Sequence, residues 1–145
     1  MKLIPAPFIW MNGEFVPWDQ AQIHVLTHAL HYGSSVFEGI RAYPSASGPA
    51  VLALDAHVTR FFQSCKIVDL PLRHSSEDVR EAILETVRRN GHEACYIRPL
   101  AWRGYGALGV WPEDCPVQVA IASFPWEGHL GADATEKGVD VGVSS

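Results

Sequence analysis

The chain has 145 residues, 48% of them hydrophobic and 19% charged, with a formal charge of -5. That length suits one ordinary domain with a real core, and the composition excludes a disordered or collagen-like chain. Acidic and basic residues are interspersed, so the clustered Lys/Arg face of a nucleic-acid binder is missing, and no apolar run is long enough to span a bilayer.

The opening "MKLIPAPFIW" is too short and too interrupted by proline for a signal sequence, which gives a cytoplasmic expectation. Cys65, Cys95 and Cys115 fit neither a paired disulfide framework nor a CxxC metal knuckle, so packed, reduced thiols are expected. "FIWMNGEFVPW" places two short apolar runs around Asn12-Gly13, which predicts a hairpin because both turn positions tolerate positive φ. "THALHYGSSVFEGIRAY", Thr27 to Tyr43, reads as an apolar strand carrying unusually dense polar chemistry. Its end, "SSVFEGIRAY", and "AVLAL" flank the turn formers "PSASGP", so a second hairpin is expected.

From Asp55 the period changes. Leu54, Val58, Phe61, Cys65 and Val68 recur at steps of three and four, which predicts a one-sided helix capped by Asp55 and ended by Pro71. A second helix follows in "SSEDVREAILETVRRNG". Ser75 and Asp78 form a capping box, Val79, Ile83 and Val87 form the stripe, and Asn90-Gly91 stops it. "ACYIRPLAWRG" and "VQVAIASFPW" are the last strands, with Pro99 pointing to an edge or a bulge. The fold class is therefore α+β, an antiparallel or mixed sheet with two helices packed on one face. The expected organisation is a small domain over 1–126, a connecting loop over 127–138, and from 139 the first strand of a second, larger domain.

Strand alternation puts Ser35, Phe37, Gly39, Arg41 and Tyr43 on one face and Val36, Glu38, Ile40 and Ala42 on the other. Tyr96 and Arg98 likewise share a face, roughly 7 Å apart, a spacing suited to gripping one small anion. The plainer reading for any one arginine is an internal salt bridge with Glu38 or a neighbouring aspartate. His28 and His31 fit a turn-shaping role by hydrogen bonding better than proton transfer.

"FIWMNGEFVPW", "THALHYGSSVFEGIRAY", "YIRPL" and "LGV" together resemble the branched-chain amino acid aminotransferases, of the fold-type IV pyridoxal phosphate class, over nearly the whole chain. The resemblance implies the fold of that family's small domain and pyridoxal 5'-phosphate as cofactor. It implies reversible amino transfer between leucine, isoleucine or valine and 2-oxoglutarate, with glutamate and 2-oxo acids as the other partners. It makes Arg60 the anchor of the cofactor phosphate and places Phe37, Gly39 and Arg41 on the substrate side of the cofactor. Tyr96 would hold the substrate α-carboxylate and Arg98 the distal carboxylate of glutamate. Tyr32 and Val110 would complete the side-chain pocket across the interface of a homodimer or higher homo-oligomer. Nucleic acid and membrane are not among the implied partners.

The resemblance also requires a Schiff-base lysine. Lys2, Lys66 and Lys137 are the only lysines here, and none has the family's context, so that residue is expected beyond Ser145 and the chain alone is expected to be inactive. The rival readings are another fold-type IV enzyme, such as a D-amino acid aminotransferase or an aminodeoxychorismate lyase, and a non-catalytic ligand-binding module.

Overall fold

The computed structural model describes residues 3–126, 137–138 and 140–143. The loop expected over 127–138 falls largely outside them, and of the strand expected from 139 only 140–143 are described, without strand pairing. Strands β1 (Phe8–Met11) and β2 (Glu14–Pro17) form the opening hairpin, in which Asn12 has φ 54° and Gly13 φ 104°. Those left-handed angles are what Asn-Gly supplies at low steric cost.

The next segment departs from its sequence reading. His28–Tyr32 is a short helix, α1, closed by Gly33 at φ 67°, and only then do β3 (Ser35–Phe37) and β4 (Ile40–Tyr43) begin. Glycine provides the left-handed residue that ends the turn and redirects the chain. The second hairpin forms between β4 and the two-residue β5 (Ala50–Val51).

The sheet has seven strands among the described residues, in the order β2-β1-β7-β6-β4-β5, with β3 pairing on β6 beyond β4. Every pairing found is antiparallel. Strand β6 (Cys95–Arg103) is central: β7 (Val117–Phe124) runs along one side of it, and β4 and β3 share the other.

Pro99 therefore sits in an interior strand, not at an edge. Its carbonyl accepts from the Glu38 N–H at 3.0 Å, opposite the break between β3 and β4. A strand residue turns its N–H and C=O to the same side, so the donor that proline lacks falls where the neighbouring strand is interrupted.

Helix α2 (Leu54–Ile67) buries Leu54, Val58, Phe61 and Cys65 as the period predicts. Two details differ. The cap position is Ala53, left-handed at φ 48° and without a side-chain cap, while Asp55 lies inside the first turn and pairs with Arg80 at 2.9 Å. Val68 is 50% exposed because the helix stops at Ile67 and Asp69 turns left-handed, so Leu70 enters the core in its place. Helix α3 (Ser76–Arg89) carries the expected capping box between Ser75 and Asp78 and buries Val79, Ile83 and Val87.

Both helices cover one sheet face. The core between them joins Trp10, Ile40, Ala42, Ile97, Ala101, Val119 and Ile121 of the sheet to Phe61, Val79, Ile83 and Val87 of the helices. All three cysteines are buried free thiols. No helix among the described residues is long and apolar enough to cross a membrane. Since each strand alternates, the residues between the core positions look out from the opposite face, which α2 and α3 leave open.

Candidate active site on the open sheet face

The open face carries Phe37, Gly39 and Arg41 beside Tyr96 and Arg98, as alternation predicts. Register brings them together: Arg41 is the Cα partner of Tyr96, and Phe37 of Leu100. Arg98 Nη2 donates to the Tyr96 hydroxyl at 3.0 Å, and the Arg98 guanidinium lies 4.3 Å from the centre of the Phe37 ring. This is cation–π geometry, which keeps a planar cation in place without neutralising it. Tyr96 packs in turn against Phe124 and Trp126, with ring centres 5.6 and 5.2 Å away.

Gly39 makes this packing possible. A Cβ built there would lie 3.0 Å from Tyr96 Cζ and closer still to its oxygen, so only glycine lets the phenol lie over the strand. Arg41 donates from Nη2 to the Trp126 carbonyl at 3.3 Å and reaches over Tyr43. Arg41 Nε and Arg98 Nε are both buried without a hydrogen-bond partner among the described residues. A buried unpaired donor on a cation is costly, and an acceptor brought to this face would relieve that cost.

Beside Arg98 lies an apolar cavity of about 340 Å³ walled by Ile9, Met11, Ile23, Leu30, Leu100 and Trp102. A guanidinium at the margin of an apolar cavity can accept both a hydrocarbon group and a carboxylate.

Arg60 stands elsewhere. It lies on α2, in the helix layer, where its Nε and Nη2 donate to the two oxygens of Glu38 at 2.6 Å each. His57 Nδ1 is 2.8 Å from the same carboxylate. Glu38 is 4% exposed, whereas the Arg60 side chain is 63% exposed. Burial pushes the Glu38 carboxyl up, but hydrogen bonds from Arg60 and His57, with their charges, outweigh it and hold it below the ordinary carboxylate range.

The structure thus pairs Arg60 with Glu38 and does not bring it to the Tyr96–Arg98 pair. The two places are joined through three consecutive residues. Phe37 and Gly39 face the aromatic cluster, and Glu38 between them faces Arg60.

Tyr32 and Val110 form a third group. Both are exposed, Val110 at 86%. The His28 ring stacks on Tyr32 at 4.5 Å, and its Nε2 lies 2.8 Å from the Gly109 carbonyl oxygen, next to Val110. His31 binds the Val25 carbonyl at 3.0 Å. Turn-shaping is thus what both histidines do. The reach of His28 across 81 residues to Gly109 had no signature in the sequence. The Glu38 pair did have one: His57 and Arg60 are three apart on a helix, opposite a carboxylate that alternation sends to the core face.

Residues 35–141 match the amino-transferase class IV family. The chain belongs to this family. It is 46% identical to the branched-chain-amino-acid aminotransferase of Escherichia coli (strain K12) over 97% of its own length and 46% of that protein's, and 41% identical to the Pseudomonas aeruginosa protein of the same name over 94% and 45%. The chain thus spans about half the length of the curated relatives it matches.

Among solved class IV structures, the E. coli branched-chain amino acid aminotransferase superposes with a TM-score of 0.92 over 97% of this chain and 46% of that one, at 46% identity. The T.th. branched-chain amino acid aminotransferase complexed with N-(5'-phosphopyridoxyl)-L-glutamate gives 0.83 over 88% and 42%, at 53% identity. The α+β fold expected from the sequence is that of these class IV relatives.

Proposed function

We propose that this chain forms the small-domain half of the active site of a branched-chain amino acid aminotransferase, moving an amino group between leucine, isoleucine or valine and 2-oxoglutarate with pyridoxal 5'-phosphate. The observation that carries the reading is Arg98. It is held by the Phe37 ring and the Tyr96 hydroxyl, keeps a buried unpaired Nε, and borders an apolar cavity. One pocket with those properties meets the requirement of two half-reactions whose substrates carry an apolar and an anionic side chain.

The residues present fit the cofactor. Arg60 is an exposed guanidinium whose orientation is fixed by Glu38, suited to a phosphate dianion. Gly39 leaves the room in which the Tyr96 phenol lies, with its hydroxyl beside Arg98. When bound, pyridoxal phosphate supplies the electron sink that lets the bond to the α-hydrogen break.

This chain's own groups bind and orient. Tyr96 directs its hydroxyl to the α-carboxylate, Arg98 takes the distal carboxylate of glutamate, and Phe37 walls the space between them. Arg41 backs Tyr96 from the neighbouring strand. Tyr32 and Val110, exposed and joined by His28, serve the pocket of a second copy in a homodimer or larger homo-oligomer. The relatives it matches are about twice its length, and the reactive lysine belongs, on this reading, to the half that this chain does not span. Buried free thiols are in keeping with a reducing, cytoplasmic setting.

The test is amino transfer by the complete gene product, followed from leucine to 2-oxoglutarate as each half-reaction. Arg98→Ala should slow the glutamate half by about a hundredfold and the leucine half far less, since only the former leaves an anion unpaired. Equal losses in both halves overturn the assignment of Arg98, and transfer from D-amino acids alone overturns the activity.

A further inference from the structure

His28 is 2% exposed, yet it takes no part in the core between sheet and helices. It lies on the other side of the molecule, between α1 and the 104–116 loop. Its Nδ1 is 2.7 Å from Ser34 Oγ and its Nε2 is 2.8 Å from the Gly109 carbonyl oxygen. A carbonyl only accepts, so Nε2 carries the proton, and in the neutral ring Nδ1 accepts from the Ser34 hydroxyl. The face of the same ring stacks on Tyr32 at an interplanar angle of 29°. Imidazole suits all three tasks at once, because its polar atoms sit on separate edges of a flat ring.

The loop is separately fastened at its base. Arg103 reaches the Pro112 and Cys115 carbonyls, and the Cys115 thiol bonds Ala107. At the tip, beside Val110, the bond comes from His28. One buried ring therefore spans the distance between Tyr32 and the Gly109–Val110 turn.

We infer that His28 is a positioning residue for the substrate side-chain pocket: it sets the separation of Tyr32 from Val110, and with it the width of the apolar wall the substrate meets. The inference rests on the reading of Tyr32 and Val110 as pocket residues given above.

The test uses the complete, cofactor-loaded gene product with His28→Phe, which keeps the stack and loses both hydrogen bonds, and His28→Gln, whose amide can still donate to Gly109. His28→Phe should raise KM for leucine about tenfold with kcat within about twofold, at unchanged cofactor affinity. Chymotrypsin, which cuts after Tyr105 and Leu108, should open the loop at least about fivefold faster in His28→Phe, and His28→Gln should recover most of the protection. Loop cleavage and leucine KM both unchanged in His28→Phe would overturn the inference. So would a KM that moves only in step with cofactor loss and a lowered Tm, which marks a merely structural role. Failure of the functional reading is separately visible: the unaltered enzyme then turns over no leucine, and the pocket assignment falls whatever the protease shows.

Discussion

The phenol of Tyr96 occupies the space that a side chain at Gly39 would need. A Cβ at that position would stand 3.0 Å from Tyr96 Cζ, on the neighbouring strand, with the hydroxyl nearer still. Gly39→Ala should therefore displace Tyr96 and lower kcat/KM for leucine by about a hundredfold while leaving the helix-side core intact. Gly39→Ala combined with Tyr96→Phe, which removes the clashing oxygen, should restore thermal stability more than activity. Steady-state kinetics and melting curves on the three variants check this. A Gly39→Ala enzyme with normal kcat/KM would show that Tyr96 is not needed where it lies.

Ile97 and Arg98 are adjacent in β6 and face opposite ways. Ile97 is fully buried against the helices, so Ile97→Ala should cost about 2–5 kcal/mol of unfolding free energy with little change in KM. Arg98→Ala should do the reverse, since it lies outside the hydrophobic core. Urea unfolding beside kinetics separates the two effects. Similar stability losses in both would contradict the two-faced strand.

The folded Glu38 carboxyl titrates below its ordinary value of 4.5, so the folded state holds the ionised form more tightly than the unfolded chain does. Its contribution to stability is complete above about pH 4.5 and is lost as the pH falls through that value and below it. Arg60 is largely exposed, so solvent screens its side of the pair, and the effect resides in the buried carboxylate. Unfolding midpoints measured from pH 7 down to pH 3 should fall along an acid limb that Glu38→Gln makes shallower. An unchanged limb would place the acid sensitivity elsewhere.

Burial pushes the Cys65 and Cys95 thiols up to about 11. At pH 8 about one molecule in a thousand then carries the thiolate at either site, so both should resist a disulfide reagent in the native protein. In denaturant all three cysteines, with Cys115, should react at ordinary rates. Rapid labelling of Cys65 or Cys95 without denaturant would mean that α2 or β6 opens far more readily than its packing implies.

Much of the architecture is written in short-range patterns. Asn12-Gly13 gives the first turn, Ser75 with Asp78 gives the start of α3, and the period of two in β3, β4 and β6 separates core from site. What escaped has a common cause: it depends on contacts between distant segments. Pro99 is admitted to an interior strand only because the chain opposite is broken at Glu38–Gly39. Ala53 starts α2 in a left-handed conformation that no propensity favours. His28 answers to Gly109, far along the chain. The site followed the same division. Strand spacing located Phe37, Arg41, Tyr96 and Arg98, the spacing of His57 and Arg60 with a core-facing Glu38 carried the trace of their ion pair, and roles in substrate recognition came from family likeness.

The nine residues of β6 send alternate side chains toward the helices and toward the open face. Inserting or deleting one amino acid there would exchange the two sets, driving Arg98 into oil and Ile97 into water. Substitutions can retune this strand one position at a time, but a shift in its frame would forfeit foldedness and chemistry in a single step, which leaves such proteins free to diverge by replacement and closed to change in length at that point.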